Sequence, residues 1–315
     1  MTVALASWGS FHVGGRPFEI SGKPVREVTL SPGGMPVRID PNGTYLAGAM
    51  YAQYMIPAER RGRFPLLFWH GGGLTGACFE TTPDGREGWQ NFFLRRGWAT
   101  YVSDAVERGR SGFSIFPDIF PGEPPFTPLE NPWQRFRVGD GHYDNAAPLP
   151  GNLLPADHWL DFVRQVVPHF TATDDFILDA YLALLDRVGP SILLVHSQAG
   201  FFGWRAAEER PALVKALILL EPAATGEPAK INVLTSIPQL VLYGDYIEQD
   251  PRWPAIRARG VAFAEEIRAA GGFIDIIDLP ERGMRGNSHM IMMDRNSDEV
   301  AALIHSWLVA RYLWA

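Results

Sequence analysis

The sequence predicts an α/β fold with a mainly parallel sheet, and three observations carry the prediction. Continuous apolar runs of about five residues recur along the chain, as expected of strands covered on both faces. Segments of helical length and period lie between them. Several runs stop abruptly at glycine, serine or a carboxylate, where a strand gives way to a loop.

Before that rhythm begins, residues 7–60 read as β structure. Residues 10–13, 26–30 and 50–56 are strand candidates, and the last alternates apolar and polar residues until Pro57. Asn42-Gly43 is a hairpin signal, and Asn42-Gly43-Thr44, formally a glycosylation acceptor, is read only as a turn. The period changes at 65–69 (PLLFW), which ends in His70-Gly71-Gly72-Gly73. A helix is predicted over 88–96, closed by Gly97, then a strand over 99–103 that runs into Asp104. Strands follow at 191–195, 216–220, 239–243 and 273–279, with helices predicted over 201–209, 253–270 and 297–312. Residues 113–187 break the alternation. Their first half is rich in proline and phenylalanine and their second half, from about Pro155, reads as helical. The chain is therefore predicted to be one domain, 1–315, with a cap inserted at about 113–187.

A 46% apolar content supports a packed core of that size. Lys and Arg number 28 against 35 Asp and Glu, a net charge of −7, which argues against a nucleic-acid or anionic-membrane partner. The single cysteine, Cys78, excludes an internal disulfide framework and a multi-cysteine zinc site. No apolar run reaches the ~18 residues of a membrane helix. The opening MTVALAS has no basic region and too short an apolar stretch for a signal peptide, so a cytoplasmic location is expected.

The segment that carries chemistry is SILLVHSQAGF at 191–201. A buried strand runs into Ser197 and straight into a helix. A serine on such a turn stands above the sheet, and the helix N-terminus aims its amides at developing negative charge. The usual pattern, G-x-S-x-G, is altered: Val195 and Ala199 hold the outer positions and Gly200 comes one place late. Upstream, the glycines after His70 let the backbone approach a substrate oxygen, as an oxyanion-binding loop must. A general base that follows the nucleophile in chain order leaves only His289 and His305. His305 falls inside the amphipathic C-terminal helix, whereas His289 lies in a loop at a strand's carboxyl end and is the expected base. His196 is expected to point away from Ser197. The acid that orients the imidazole is Asp245, after the penultimate strand, or Glu221, one strand earlier; residue chemistry leaves the two near even.

With these features the chain resembles an α/β-hydrolase, and more closely the group of bacterial carboxylesterases typified by esterase 713. The resemblance rests on Gly9-Ser10-Phe11-His12-Val13-Gly14-Gly15, Leu74-Thr75-Gly76, Glu80-Thr81-Thr82-Pro83-Asp84-Gly85-Arg86 and Gly109-Arg110-Ser111. It extends through His196-Ser197-Gln198, Glu221-Pro222, Gly244-Asp245-Tyr246-Ile247-Glu248, Pro251-Arg252-Trp253 and Gly286-Asn287-Ser288-His289-Met290. It implies that Glu221 is the acid, with Asp245 the runner-up, and that the amides of Gly72 and Gln198 form the oxyanion hole. The group's type member has adjacent cysteines in this loop, where the present chain has Gly72-Gly73. Together with the prevalence of two-fold oligomers, the resemblance also implies a homodimer.

The expected activity is acyl transfer from a small-molecule ester to Ser197 and then to water, with no metal or organic cofactor. Leu74, Trp133, Phe136 and Trp159 are expected to line an apolar pocket, which would favour apolar or aromatic esters. A lactonase, amidase or acyltransferase would use the same triad. A ligand-binding pseudoenzyme is disfavoured by the joint presence of serine, late histidine and glycine loop. Arg108 and Arg110 are expected to satisfy carboxylates or carbonyls near the top of the sheet.

Overall fold

The computed structural model describes residues 2–315. Two long antiparallel strands, β1 (Leu5–Ile20) and β4 (Gly43–Pro57), contain two of the predicted strands. Between them β2 (Arg26–Val28) and β3 (Val37–Ile39) form a separate ribbon. Asn42-Gly43 does not turn a hairpin. The Asn42 side chain clasps the backbone of Lys23 through two bonds of 2.9 Å, closing this excursion, and Gly43 opens β4.

The buried strands follow: β5 (Leu66–Trp69), β6 (Thr100–Asp104), β7 (Ser191–His196), β8 (Val214–Leu220), β9 (Gln239–Tyr243) and β10 (Ile274–Asp278). With β1 and β4 they form one eight-stranded sheet in the order β1–β4–β6–β5–β7–β8–β9–β10. The pairings from β6 to β10 are all parallel. Every residue of β5 and β7 is buried, which explains their unbroken apolar runs.

The helices are α1 (Trp89–Leu94), α2 (Glu130–Arg135), α3 (Trp159–Val163), α4 (Asp174–Val188), α5 (Gln198–Glu209), α6 (Ile231–Leu234), α7 (Trp253–Ala269) and α8 (Ser297–Val309). They divide between the two faces of the sheet, and so do the strand side chains. Leu67, Trp69, Leu193 and Val195 join a core with Tyr181, Phe202, Trp204 and Phe263 of α4, α5 and α7. Their neighbours Leu66, Phe68, Ile192 and Leu194 join a second core with Phe93 of α1 and Ile304 of α8. Each such large side chain contributes roughly 1.5–3 kcal/mol on burial.

The long connection between β6 and β7 holds the predicted insertion. Its helical half is two pieces, because Pro168 cannot continue a helix; α3 ends at Val163 and α4 starts at Asp174. α4 lies on β1, β4 and α5. Trp133, Phe136, Trp159 and Phe162 of the α2–α3 region join the core on the α1/α8 face, so this connection and the sheet share one apolar interior.

Candidate active site

The carboxyl ends of β5, β7 and β8 converge on one point. At the end of β7, Ser197 adopts φ 53°, ψ −113°, a strained backbone for a residue with a side chain, and α5 begins at the next residue. The tightness of this turn depends on glycine on both sides. A Cβ on Gly200 would lie 2.6 Å from Pro222, and one on Gly71 would lie 3.0 Å from Ser197 Cβ. Val195 fits where a small residue is usual because Gly203, on α5, stands opposite; a Cβ there would meet Val195 Cγ2 at 2.9 Å. Among the described residues the Ser197 hydroxyl forms no hydrogen bond within the protein. Such contacts are often long without substrate and close when it binds.

The loop after β5 is held from beneath. His70 Nδ1 donates to the Gly71 carbonyl at 2.8 Å and its Nε2 accepts from the Ala105 amide at 2.9 Å. Burial, aided by the nearby Arg108 charge, lowers its pKa to about 4 and keeps it neutral. Arg108, itself buried, straps the Gly71 carbonyl (3.5 Å) to the Gln198 side chain (3.3 Å). Arg110 engages Asp104 through its Nε at 2.7 Å. The amides of Gly72 and Gln198 have no hydrogen-bond partner among the described residues, and Gly72 lies against the Gln198 side chain.

Glu221 ends β8 at φ 44° and is fully buried. One carboxylate oxygen, Oε2, is 2.5 Å from His289 Nδ1. The other, Oε1, accepts from the Gly244 amide at 2.7 Å and from Arg137 Nη2. Burial pushes this carboxyl up, but the Arg137 charge and the His289 contact outweigh it and hold the pKa at about 2. Asp245 is placed otherwise: its Oδ2 accepts from the Gly286 amide at 2.8 Å, bracing the loop that carries His289. Of the two candidate acids, Glu221 is therefore the one that meets the imidazole.

His289 is enclosed by rings. His196, Trp253 and Phe136 have ring centroids 4.6, 4.8 and 5.3 Å from it. Burial is the main force lowering its pKa; the Glu221 contact opposes it, while Arg137 and Arg135 add to it. His196 points away from the serine and its Nε2 donates to the His289 carbonyl at 2.9 Å. Asp294 completes the loop by accepting from the Ser288 amide (2.9 Å), the Ser288 hydroxyl (2.7 Å) and Asn287 (3.0 Å). Its burial raises its pKa to about 7.

Phe136 faces a nearly filled cleft of about 10 Å³ beside Gly72 and Gly73. Leu74, Trp133 and Trp159 do not line it; they stand in the core, with Trp133 and Trp159 edge to face at 5.2 Å. Sequence reasoning missed Arg137 and Asp294. Asp294 left a signal, a lone carboxylate closing the apolar run Met290-Ile291-Met292-Met293. Arg137 left none, because only the folded cap carries it to Glu221. Among the described residues no group of three or more metal-ligating side chains occurs, and no helix is long and apolar enough to cross a membrane.

No family model matches the chain. A fungal protein (Fungal sp., strain ATCC 74256) named "Probable secreted lipase phiG" is 29% identical over 84% of this chain and 87% of its own. A bacterial esterase solved at atomic resolution is 34% identical, with a TM-score of 0.87, over 98% of this chain and 97% of its own. At that identity across nearly the whole of both molecules, the chain belongs to this family of α/β-hydrolase esterases and is an ester-bond hydrolase.

Proposed function

We propose that the protein is a serine carboxylesterase that works through an acyl-enzyme on Ser197, with a Ser197–His289–Glu221 triad. The observation that carries the reading is the 2.5 Å contact between His289 Nδ1 and Glu221 Oε2, made beside a strained serine at the same sheet edge. With Nδ1 engaged by Glu221, Nε2 is the nitrogen left to take the Ser197 proton. The serine oxygen attacks the ester carbonyl, and His289 returns the proton to the departing alcohol. Water then repeats the sequence on the acyl-enzyme and frees the acid.

Glu221 stays ionised throughout, because a carboxyl held near pKa 2 does not accept the proton from imidazolium. The unpartnered amides of Gly72 and Gln198 supply the oxyanion hole. Each donor of this kind lowers the barrier by about 2.7–4 kcal/mol. The cleft at Gly72 is nearly filled, walled by Pro132, Phe136 and Val166, which suits small acyl groups better than the long chains of a lipase substrate.

The test is hydrolysis of phenyl acetate and of a long-chain aryl ester by wild type and Ser197→Ala. Turnover of the short ester that falls by more than about 10³-fold in the variant is expected. Turnover that survives the substitution would remove Ser197 as the nucleophile. Preferential cleavage of the long-chain ester would overturn the substrate assignment.

A further inference from the structure

The triad makes no use of Arg108, a buried cation in the tight turn after β6. Its amide donates to the Ala105 carbonyl at 3.0 Å and its carbonyl accepts from the Ser111 amide at 2.8 Å. From this turn the guanidinium reaches two separate elements. Nη1 donates to the Gly71 carbonyl at 3.5 Å, in the loop after β5. Nη2 donates to Gln198 Oε1 at 3.3 Å, at the start of α5. Behind it, Nε faces Glu107 Oε1 at 3.5 Å, and that carboxylate oxygen accepts from the Phe170 amide at 3.2 Å and the Thr173 hydroxyl at 3.1 Å. The pair is a dipole with its positive end on the glycine loop and its negative end on the segment that leads into α4. The Arg108 charge is felt in that loop, where it adds to the burial that lowers the pKa of His70.

Stability alone does not account for such a group. Desolvating an ion pair costs more than its attraction often returns, and apolar residues of similar volume commonly replace a buried pair without loss. Geometry does account for it. An oxyanion hole works only when its donors converge on one oxygen, at about 2.7–3.1 Å. Here the two candidate donors belong to different elements. The Gln198 amide is fixed by the turn at Ser197 and by α5. Gly72 has no side chain to anchor it and stands between two further glycines, of which Gly73 is at φ 69°. Across a trans peptide the carbonyl and the following N–H point to opposite sides, so a pinned Gly71 carbonyl turns the Gly72 N–H away from the guanidinium. His70 also holds that carbonyl, at 2.8 Å, but its other nitrogen is tied to Ala105 at the end of β6. Of the two, only Arg108 also reaches α5.

We propose that Arg108 is the positioning residue of the oxyanion hole: by bridging the Gly71 carbonyl and the Gln198 side chain, it sets the Gly72 amide in register with the Gln198 amide. It acts through Gly72 and touches neither the substrate nor the reacting atoms. The inference rests on the Ser197 reading and adds to it the group that holds the two donors together.

The experiment compares wild type, Arg108→Met, Arg108→Lys, Glu107→Gln and Ser197→Ala by hydrolysis of phenyl acetate and by inhibition with trifluoroacetone relative to acetone. Ser197 Oγ adds to the carbonyl carbon of trifluoroacetone, its proton passes to His289, and the carbonyl oxygen takes the negative charge. The preference for the fluorinated ketone therefore reads the oxyanion hole. In Arg108→Met, kcat is expected to fall about 10–100-fold with little change in KM, less than for outright loss of a donor. The ketone preference is expected to fall by a similar factor. Arg108→Lys is expected to lie between, because it keeps the charge but not the fork that spans both acceptors. The acid limb of the pH–rate profile is expected to stay in place, since the charges acting on His289 are those of Glu221, Arg137 and Arg135. Glu107→Gln breaks the same ion pair from behind and is expected to lower Tm while keeping most of the ketone preference. A preference within two-fold of wild type in Arg108→Met, or in Arg108→Lys should the methionine variant not fold, overturns the inference. An equal loss of preference in Glu107→Gln overturns it too, because the pair would then be structural only. The Ser197 reading stands in both cases if wild type cleaves phenyl acetate and Ser197→Ala does not. Absence of turnover by wild type removes that reading and this inference with it.

Discussion

Replacing Arg137 with methionine tests whether this arginine holds the acid of the proposed triad. The substitution removes the Nη2 contact to Glu221 and the 2.8 Å bond from Nε to the Asp245 carbonyl, and leaves the Glu221 carboxylate buried beside His289 alone. Two unit charges about 4 Å apart at an effective dielectric near 20 interact by about 4 kcal/mol, and removing one partner of a buried pair costs about 3–5 kcal/mol. With about 2.1 cal/mol/K of unfolding entropy per residue, 315 residues lose about 5–8 °C of Tm for that cost. Arg137 also lowers the proton affinity of His289, so the acid limb of kcat/KM is expected to move to higher pH in the variant. Glu221 is depressed from 4.5 to about 2 in the folded protein, so its stabilisation is complete above pH 4.5 and is lost as pH falls through 2. That term is about 3 kcal/mol, and in the variant its loss begins at higher pH. Thermal melts at pH 8 and a pH–rate profile read both effects. The double variant Arg137→Met/Glu221→Gln is expected to recover stability relative to Arg137→Met, because the uncompensated carboxylate is gone. A Tm within about 1 °C of wild type, with an unmoved acid limb, would refute the claim that Arg137 holds Glu221 ionised.

Two further outcomes are expected. Glu221→Gln should lower kcat by about 10³–10⁴-fold, because an amide can orient the imidazole in the wrong tautomer, whereas Asp245→Asn should cost about ten-fold or less through a loosened Gly286 loop; equal losses in a direct kinetic comparison would sink the assignment of the acid. Asp294 is raised from 3.8 to about 7 on folding, so the folded state binds more protons than the unfolded one between those values and stability falls as pH rises through that window, by about 4 kcal/mol. Asp294→Asn keeps an acceptor for the Ser288 and Asn287 donors and should flatten the urea midpoint between pH 4 and 7; a midpoint that still falls with pH would place the effect elsewhere.

The parts legible in the sequence were those fixed by local pattern. The runs at 65–69 and 191–195 announced buried strands because both faces of β5 and β7 are covered, so no polar residue interrupts them. Ser197 was legible despite the altered pattern, since a buried strand that gives way to a helix within one residue forces a turn of this kind. The choice between Glu221 and Asp245 was not legible from the residues alone. Each closes a strand, and each finds backbone amides to bind; the difference is a positive φ at Glu221 and a guanidinium arriving from a segment 84 residues earlier. Trp133 and Trp159 were equally opaque. An aromatic in such a connection has the same pattern whether it faces a ligand or the interior, and here the two rings meet edge to face within the core.

The burial of Glu221 ties the connection between β6 and β7 to the sheet. A carboxylate with no solvent contact needs opposite charge and donors on every side, and β8 and β9 supply only the Gly244 amide. His289 is neutral for most of the proposed cycle, so it cannot be the standing counter-charge. Arg137 is the remaining cation, and it is carried by the cap, next to the Phe136 carbonyl that accepts from the His289 amide at 2.9 Å. A cap that lifted far enough to admit a bulky substrate would therefore break the ion pair and the His289 loop contact together. The energetics favour a connection that stays down on the sheet.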